Sequence, residues 1–376
     1  MKIAIVGCGF VADFYMQSLP LYPRLELVAV MDRDKKRAAE FAAFHGLNCL
    51  RPALDDILGD PDIGMVLNLT NPDSHYEVSK ACLAAGKNVY SEKPLAMRLD
   101  HAKDLYELAQ SRGLAITSAP CNVLSETAQT LWKALREERA GPVKLVYAEM
   151  DDGMVHRMPY RKWLSDSGRP WPWKDEFEVG CTLEHAGYYV TWLTAFFGPA
   201  VSVTAFSSCL YPDKRTDAPL DREAPDFSVA CIRFANGVVA RLTCSIVAKR
   251  DQRLQFFGDH GVLSVDDSWN YREKVHLRRF IDIRRRTILL PWARTIPLAN
   301  APRAAKPRRN ANPMEFCRGP DEVAAAVEQG RRSYLPADWC LHNNEVVLAI
   351  HNALENSSTY AITTTFAPIE PVPWAI

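Results

Sequence analysis

The chain opens M-K-I-A-I-V-G-C-G-F-V-A, and no other stretch restricts the fold as strongly. An apolar, β-rich run, Ile3 to Val6, breaks into Gly7-Cys8-Gly9, and Ala12 fills the last place of G-x-G-x-x-G/A. Each small residue has a mechanical task. Gly7 permits a tight turn, Gly9 lets backbone approach a pyrophosphate, and Ala12 lets the next helix lie close on the strand. The first N–H groups of that helix, expected from about Asp13 to Leu19, face the phosphates, with Cys8, Phe10 and Val11 completing the cradle. A second strand, Leu25 to Met31, ends in Asp32, twenty positions after Ala12, where a carboxylate takes the ribose hydroxyls of an adenosine. Glycine pairs after strands also serve as plain turns, but a strand, a helix and an acid at this distance point to NAD. A carboxylate repels a 2′-phosphate, whereas Arg33 beside it can stack on adenine or pair with such a phosphate, so NADP stays open.

The alternation continues through the N-terminal third, as a parallel sheet with right-handed crossovers requires. The pattern predicts helices over Asp34–His45 and Leu54–Leu58, a buried strand over Met65–Thr70, and a turn, Asn71 to His75, into a helix reaching Ala85. A strand, Asn88–Ser91, leads directly into Glu92-Lys93-Pro94, followed by a helix from Asp100 to Arg112 and a strand from Leu114 to Ser118. In open α/β sheets ligands bind outside the carboxyl ends of the strands. Thr70, Asn71, His75, Glu92, Lys93 and Asn122 therefore belong to the cofactor edge. The expected fold class is α/β, with a doubly wound dinucleotide-binding domain over residues 1–123 and a second domain over 124–376.

Composition removes several alternatives. Lys and Arg balance Asp and Glu at 45 each, so nothing in the net charge asks for nucleic acid. No apolar run reaches the roughly 18 residues of a membrane span, and a strand at the N-terminus argues against a signal peptide. The ten cysteines include no C-x-x-C pair, which reads as free thiols in a reducing, cytoplasmic setting.

At this point the chain resembles the Gfo/Idh/MocA oxidoreductases, named for glucose-fructose oxidoreductase, inositol dehydrogenase and a rhizopine-catabolism protein. The resemblance rests on G-C-G-F-V-A, on G-K-N-V-Y-S-E-K-P-L-A at Gly86 to Ala96, and on the separation of the two. It implies that Lys93 reaches both the nicotinamide and a substrate hydroxyl. It also implies a C-terminal α/β domain built on a large, mostly antiparallel open sheet that holds the substrate and makes a dimer or tetramer contact. The residues agree: a bridging helix over Ser125–Glu138, then strands over Val143–Met150, Val201–Ser207, Phe227–Phe234, Val238–Ser245, Arg253–Phe257 and Gly261–Val265. Asn236-Gly237 is a strong hairpin signal between two of them. A closing helix over about Pro336–Leu354 and a strand over Thr359–Phe366 complete the pattern.

Most family members show D-x-x-x-H on a helix of this domain, with the histidine as acid and base. Aligned on that helix and on Gly198, those positions carry Glu184 and Tyr188. A subset of the family places tyrosine there, and a phenol, with a reference pKa of about 10, can be lowered by an ammonium such as that of Lys93. Glu184 lies one helical turn away and can orient the phenol or the substrate. His185 is chemically the easier proton carrier but falls off the aligned face. A plain aromatic core face is the remaining reading.

The preceding loop, Tyr160 to Phe177, interleaves Arg161, Trp163, Trp171 and Trp173 with prolines, which suits the faces and hydroxyls of a sugar ring or, alternatively, a cap on the core. Asp151, Asp152 and His156 match no metal spacing, and hydride transfer needs no metal, so none is expected. Tyr271 to Asn310 holds twelve Lys and Arg against two acids, a solvated arm or a grip for a nucleotide-sugar diphosphate. The expected activity is hydride transfer between NAD and the hydroxyl or ketone of a sugar, cyclitol or derivative. The alternatives are a biosynthetic nucleotide-sugar dehydrogenase and a non-catalytic NAD-sensing regulator.

Overall fold

The computed structural model describes residues 1–302, 311–355 and 358–376. Contacts divide the chain into unit 1, formed by Met1–Cys121, Pro159–Glu176 and Arg303–Asn344, and unit 2, formed by Asn122–Met158, Phe177–Pro302 and Glu345–Ile376.

Unit 1 is built on five parallel strands, β1 (Lys2–Val6), β2 (Glu26–Met31), β3 (Met65–Asn68), β4 (Asn88–Ser91) and β5 (Ile116–Ser118), in the order β2-β1-β3-β4-β5. A single parallel bridge, Val30 to Leu50, continues the sheet beyond β2. Strands such as M-V-L-N are buried at every position because helices cover both faces, which is why they read as continuous rather than alternating apolar runs. Ala4, Val6, Val66, Val89 and Ile116 from the sheet pack with Leu83, Ala102 and Leu105 from the helices. Each buried Val, Leu or Ile contributes about 1.5–3 kcal/mol relative to exposure.

The helix Lys35–Phe44 starts where expected because the Asp34 side chain accepts the N–H groups of Lys36 and Arg37. Helix Leu99–Arg112 stops at Gly113, which adopts the left-handed conformation. One unit 1 element escapes the sequence pattern, the helix Arg318–Gln329. Its Gly319 lies against the Tyr90 ring of β4, where a Cβ would collide, so the helix backbone approaches the sheet closely.

Unit 2 carries a ten-stranded sheet. Its strands are β6 (Val143–Asp151), β7 (Ala200–Ser208), β8 (Phe227–Phe234), β9 (Val239–Ser245), β10 (Leu254–Gly258), β11 (Gly261–Val265), β12 (Val275–Ile283), β13 (Arg286–Leu289), β14 (Arg294–Ile296) and β15 (Thr359–Ala361). The order is β13-β12-β11-β10-β6-β9-β8-β7-β15, with β14 on β12. Among the described residues of this sheet only β6 and β9 pair in parallel, and Asn236-Gly237 turns β8 into β9 with Gly237 at φ +84.

Two expectations change. The basic stretch after Tyr271 is no free arm through its described part: β12, β13 and β14 add to the sheet, with Val275, Leu277 and Ile296 buried between exposed arginines. Arg303, Lys306, Arg308, Arg309 and Asn310 lie outside the described residues. The strand expected over Thr359–Phe366 ends at Ala361, because the backbone N–H groups of Thr363 and Thr364 donate to the Glu345 carboxylate. Among the described residues no helix is long and apolar enough to cross a membrane.

Candidate active site

The glycine loop leaves β1 at the carboxyl edge of the unit 1 sheet. Gly7 has φ +100, and a Cβ there would stand 2.5 Å from the Leu69 carbonyl oxygen, so only glycine fits. Nothing lies within 4 Å of the place a Gly9 Cβ would take. The loop is thus tight underneath and open above, as a pyrophosphate cradle requires. Behind it, Asp32 accepts the Cys8 N–H at 2.9 Å and the Asp34 N–H at 2.8 Å, with the Arg37 guanidinium 3.6 Å away. A carboxylate offers about four acceptor positions, so two remain for ribose hydroxyls. These residues fit a dinucleotide. Phe10 and Val11 are half-buried, Phe10 edge-on to Phe14 with ring centres 5.4 Å apart. Burial, reinforced by Asp32, pushes the Cys8 thiol up to about 12, so it packs rather than reacts.

Along the same edge, β4 delivers Glu92 and Lys93. Glu92 is buried and accepts the Tyr15 hydroxyl at 2.7 Å and the Lys93 N–H at 3.1 Å, which ties the half-buried Lys93 to the first helix. His75 is fully buried, its Nδ1 2.7 Å from the Pro94 carbonyl oxygen and its Nε2 2.9 Å from that of Thr70. The imidazole therefore braces the turn that follows Lys93 against the end of β3. Thr70 donates its hydroxyl to Asn68, and Asn71 contacts Asp175 at 3.4 Å.

In unit 2 the chain enters the second stretch through Gly180, and Thr182–Ala186 forms a π-turn before the helix Gly187–Phe197. The wide turn interrupts the α-helical period between Glu184 and Tyr188. His185 and Tyr188 share an aromatic neighbour. Both rings meet Trp269, with centre distances of 5.7 Å for His185 and 5.5 Å for Tyr188. Asn122 is fully buried, its amide donating to the Tyr188 carbonyl at 3.0 Å and accepting the Thr191 hydroxyl at 3.2 Å, which makes it a holder of this helix.

Trp269 leads to residues the sequence did not single out. Arg250 lies over its ring at 5.9 Å and pairs with Asp267 at 3.3 Å, Gln252 at 3.0 Å and Asp152 at 3.9 Å. Burial raises the Asp152 carboxyl to about 6 despite the Arg250 charge. Gln252 is buried with no partner for its Nε2 among the described residues, and the Trp269 Nε1 likewise has none there. Asp151 instead accepts the Ser245 hydroxyl at 2.5 Å, and His156 stacks on Tyr211, so these two leave Asp152. The loop expected to line a substrate belongs to unit 1: Trp163 meets Trp171 at 5.1 Å, Tyr160 meets Trp171 and Trp173, and Arg161 covers Tyr160.

Similarity to known proteins agrees with this geometry. Residues 1–119 match the family model of the NAD-binding Rossmann fold of the GFO/IDH/MocA oxidoreductases, and residues 128–264 match a GFO/IDH/MocA C-terminal domain. The trans-1,2-dihydrobenzene-1,2-diol dehydrogenase of Bos taurus is 24% identical over 280 residues, 73% of this chain and 77% of that one. An NAD-binding oxidoreductase from Klebsiella pneumoniae superposes with TM-score 0.76 at 19% identity, covering 97% of this chain and 99% of the other. Levoglucosan dehydrogenase, solved with NADH and levoglucosan, superposes with TM-score 0.75 at 18% identity, covering 96% and 99%. With both of its domain models matched, the chain belongs to the Gfo/Idh/MocA family of NAD(P)-binding oxidoreductases.

Proposed function

We propose that this oxidoreductase transfers hydride between NAD and a hydroxyl-bearing carbon of a neutral sugar or cyclitol, with residues 1–123 serving the cofactor and 124–376 the substrate. The observation that carries the reading is the shared sheet edge of unit 1, where Lys93 leaves β4 beside an open glycine loop. Lys93 holds the reacting hydroxyl. Tyr188 takes its proton, with His185 as the rival carrier and Glu184 orienting. When bound, the nicotinamide accepts the hydride from the carbon as the O–H proton leaves to the side chain. The name of the Bos taurus relative, a diol dehydrogenase, supports a carbinol substrate.

The surroundings of Tyr188 narrow the substrate class. Arg250 lies between Asp152 and Asp267, so its charge is already met by carboxylates, and the Gln252 and Trp269 N–H groups without partners among the described residues offer donors beside these acceptors. Vicinal hydroxyls suit such a mixture, while a guanidinium already paired offers little to a diphosphate, which weighs against a nucleotide sugar. Asp32 favours NAD over NADP, with Arg33 and Arg37 the residues that can reverse the preference. A cytoplasmic homo-oligomer is the setting that suits cysteines held as thiols and an open sheet.

Fluorescence titration with NADH and NADPH, followed by nicotinamide absorbance with sugars, cyclitols and nucleotide sugars, tests each part. Tighter NADPH binding removes the cofactor assignment. Turnover of nucleotide sugars alone removes the neutral substrate, and nucleotide binding without any turnover favours a sensor.

A further inference from the structure

The segment Pro159–Glu176 belongs by its contacts to unit 1, although the strand β6 before it and the helix Gly187–Phe197 after it belong to unit 2. It folds as a compact loop. Ser165 N–H donates to the Arg169 carbonyl at 2.8 Å, Gly168 N–H to the Ser165 carbonyl at 2.9 Å, and Trp171 N–H to the Trp163 carbonyl at 2.9 Å. Gly168 takes φ +80 at its tip.

The loop is fastened to the elements that frame the nucleotide cradle. Asp13, the residue directly after Ala12, is fully buried and accepts the Ser167 N–H at 3.0 Å and the Ser167 hydroxyl at 2.7 Å on one oxygen, with His45 Nε2 2.6 Å from the other. Burial would push this carboxyl up, but the His45, Ser165 and Ser167 bonds hold it below the usual range, so the anchor is ionised at neutral pH. Gln17 on the same helix donates to Asp166 at 3.0 Å. Arg169 then reaches the second helix, its Nη2 2.7 Å from Glu40. The first anchor follows the Gly7–Gly9 loop and the second lies on the helix after Asp32, and Asp32 accepts the Cys8 N–H, so the two anchored elements frame the place where a dinucleotide puts its adenosine diphosphate half. The Arg169 charge acts on both Cys8 and Asp34, which flank that place. Arg169 is largely buried, and its Nε is a buried donor with no partner among the described residues. A guanidinium carries five N–H donors in a fixed fork, and leaving one unmade in a buried position costs about 1–3 kcal/mol.

We infer that the loop Trp163–Lys174 is a strap over the adenosine diphosphate half of the bound dinucleotide, and that Arg169 contacts that half through its unpartnered edge. The inference rests on the nucleotide reading of unit 1. Its consequence is slow cofactor release, because the strap must lift from Asp13 and Glu40 before the nucleotide can leave.

The test measures binding rather than turnover. NADH and ADP-ribose dissociation constants, and NADH release by stopped-flow displacement, are compared for the wild type, Arg169→Ala, Arg169→Lys and Ser167→Ala, with thermal unfolding as the check on folding. Arg169→Ala is expected to weaken both ligands at least tenfold, chiefly through faster release. Arg169→Lys keeps the charge but not the fork and recovers only part of the loss. Ser167→Ala speeds release without touching the guanidinium, and ADP-ribose protects the loop from proteolysis in the wild type. The inference is overturned if Arg169→Ala binds ADP-ribose within twofold of wild type, if only NADPH affinity falls, or if ADP-ribose leaves the loop equally open to protease. A wild type that binds neither NADH nor ADP-ribose overturns the nucleotide reading itself.

Discussion

On the proposed mechanism, Lys93 and the two rings beside Trp269 are where single atoms decide the chemistry. Lys93→Ala removes a positioning ammonium and a charge that favours proton transfer, so kcat/KM is expected to fall by about 10² to 10⁴. Tyr188→Phe removes one oxygen and should cost a similar factor while NADH affinity stays constant, because the proposed mechanism gives that hydroxyl to the substrate. His185→Asn is the informative comparison, since both rings share Trp269 as a neighbour. Steady-state rates that collapse in His185→Asn and survive in Tyr188→Phe move the proton to the imidazole. Gly9→Val separates binding from folding in the same way. Its side chain enters space that the protein leaves open, so thermal unfolding should be unchanged while NADH binding is lost. Gly7→Val meets the Leu69 carbonyl at once, and its melting temperature should drop.

At the scale of elements, the helix Ala337–His351 ends in a residue that makes stability depend on pH. Burial, helped by Arg222, lowers the His351 imidazole from 6.5 to about 4, and its Nδ1 is buried without a partner among the described residues. The unfolded chain takes up a proton near pH 6.5 that the folded chain refuses until about pH 4. Stability is therefore full above pH 6.5 and falls as the pH drops through this window, by at most about 3 kcal/mol. Urea unfolding at pH 7.5 and 4.5 should show a smaller loss in His351→Gln than in the wild type, and equal losses would remove His351 as the cause. The elements of unit 1 up to Ser118 were legible because strand composition, caps and glycines agree at each position. The strands of the basic stretch were not, since its apolar inner positions, Val275, Leu277 and Ile296, are few among arginines whose long stems cover the edge. The placement of the glycine loop, Asp32 and Lys93 just past the carboxyl ends of β1, β2 and β4 was legible from local spacing. The Asp13 anchor for Ser167 joins residues 154 apart, and the Thr182–Ala186 π-turn breaks the 3.6 period on which sequence alignment of helix faces depends.

For the molecule as a whole, the unit 2 sheet argues for self-association. Along β8 and β9 the inner positions Ala230, Ile232, Ala240 and Leu242 are buried, while Val229, Cys231, Arg233, Val239, Arg241 and Thr243 point to the other face. That second face is not the polar surface an antiparallel sheet shows to water. Tyr147 lies edge-on to Phe257 at 4.9 Å, Arg241 stacks over Tyr147 at 4.2 Å and bonds Glu149, and Phe206 meets Phe227. Aromatic rings with an arginine laid across them, flanked by Val229 and Val239, have the composition of an interface core. A stable pair needs about 1,600 Å² of buried area in total, which a face several strands wide can supply. Zero formal net charge leaves no long-range repulsion to oppose it. Sedimentation equilibrium at micromolar concentration should give a mass at least twice the 42.3 kDa of the chain. Val229→Asp, which places a charge in the middle of that face, should shift the mass to the monomer while leaving NADH affinity in place, because the glycine loop lies in the other unit. A wild type that sediments as a single chain, or a Val229→Asp variant that stays associated, would show that this face is not what joins the copies.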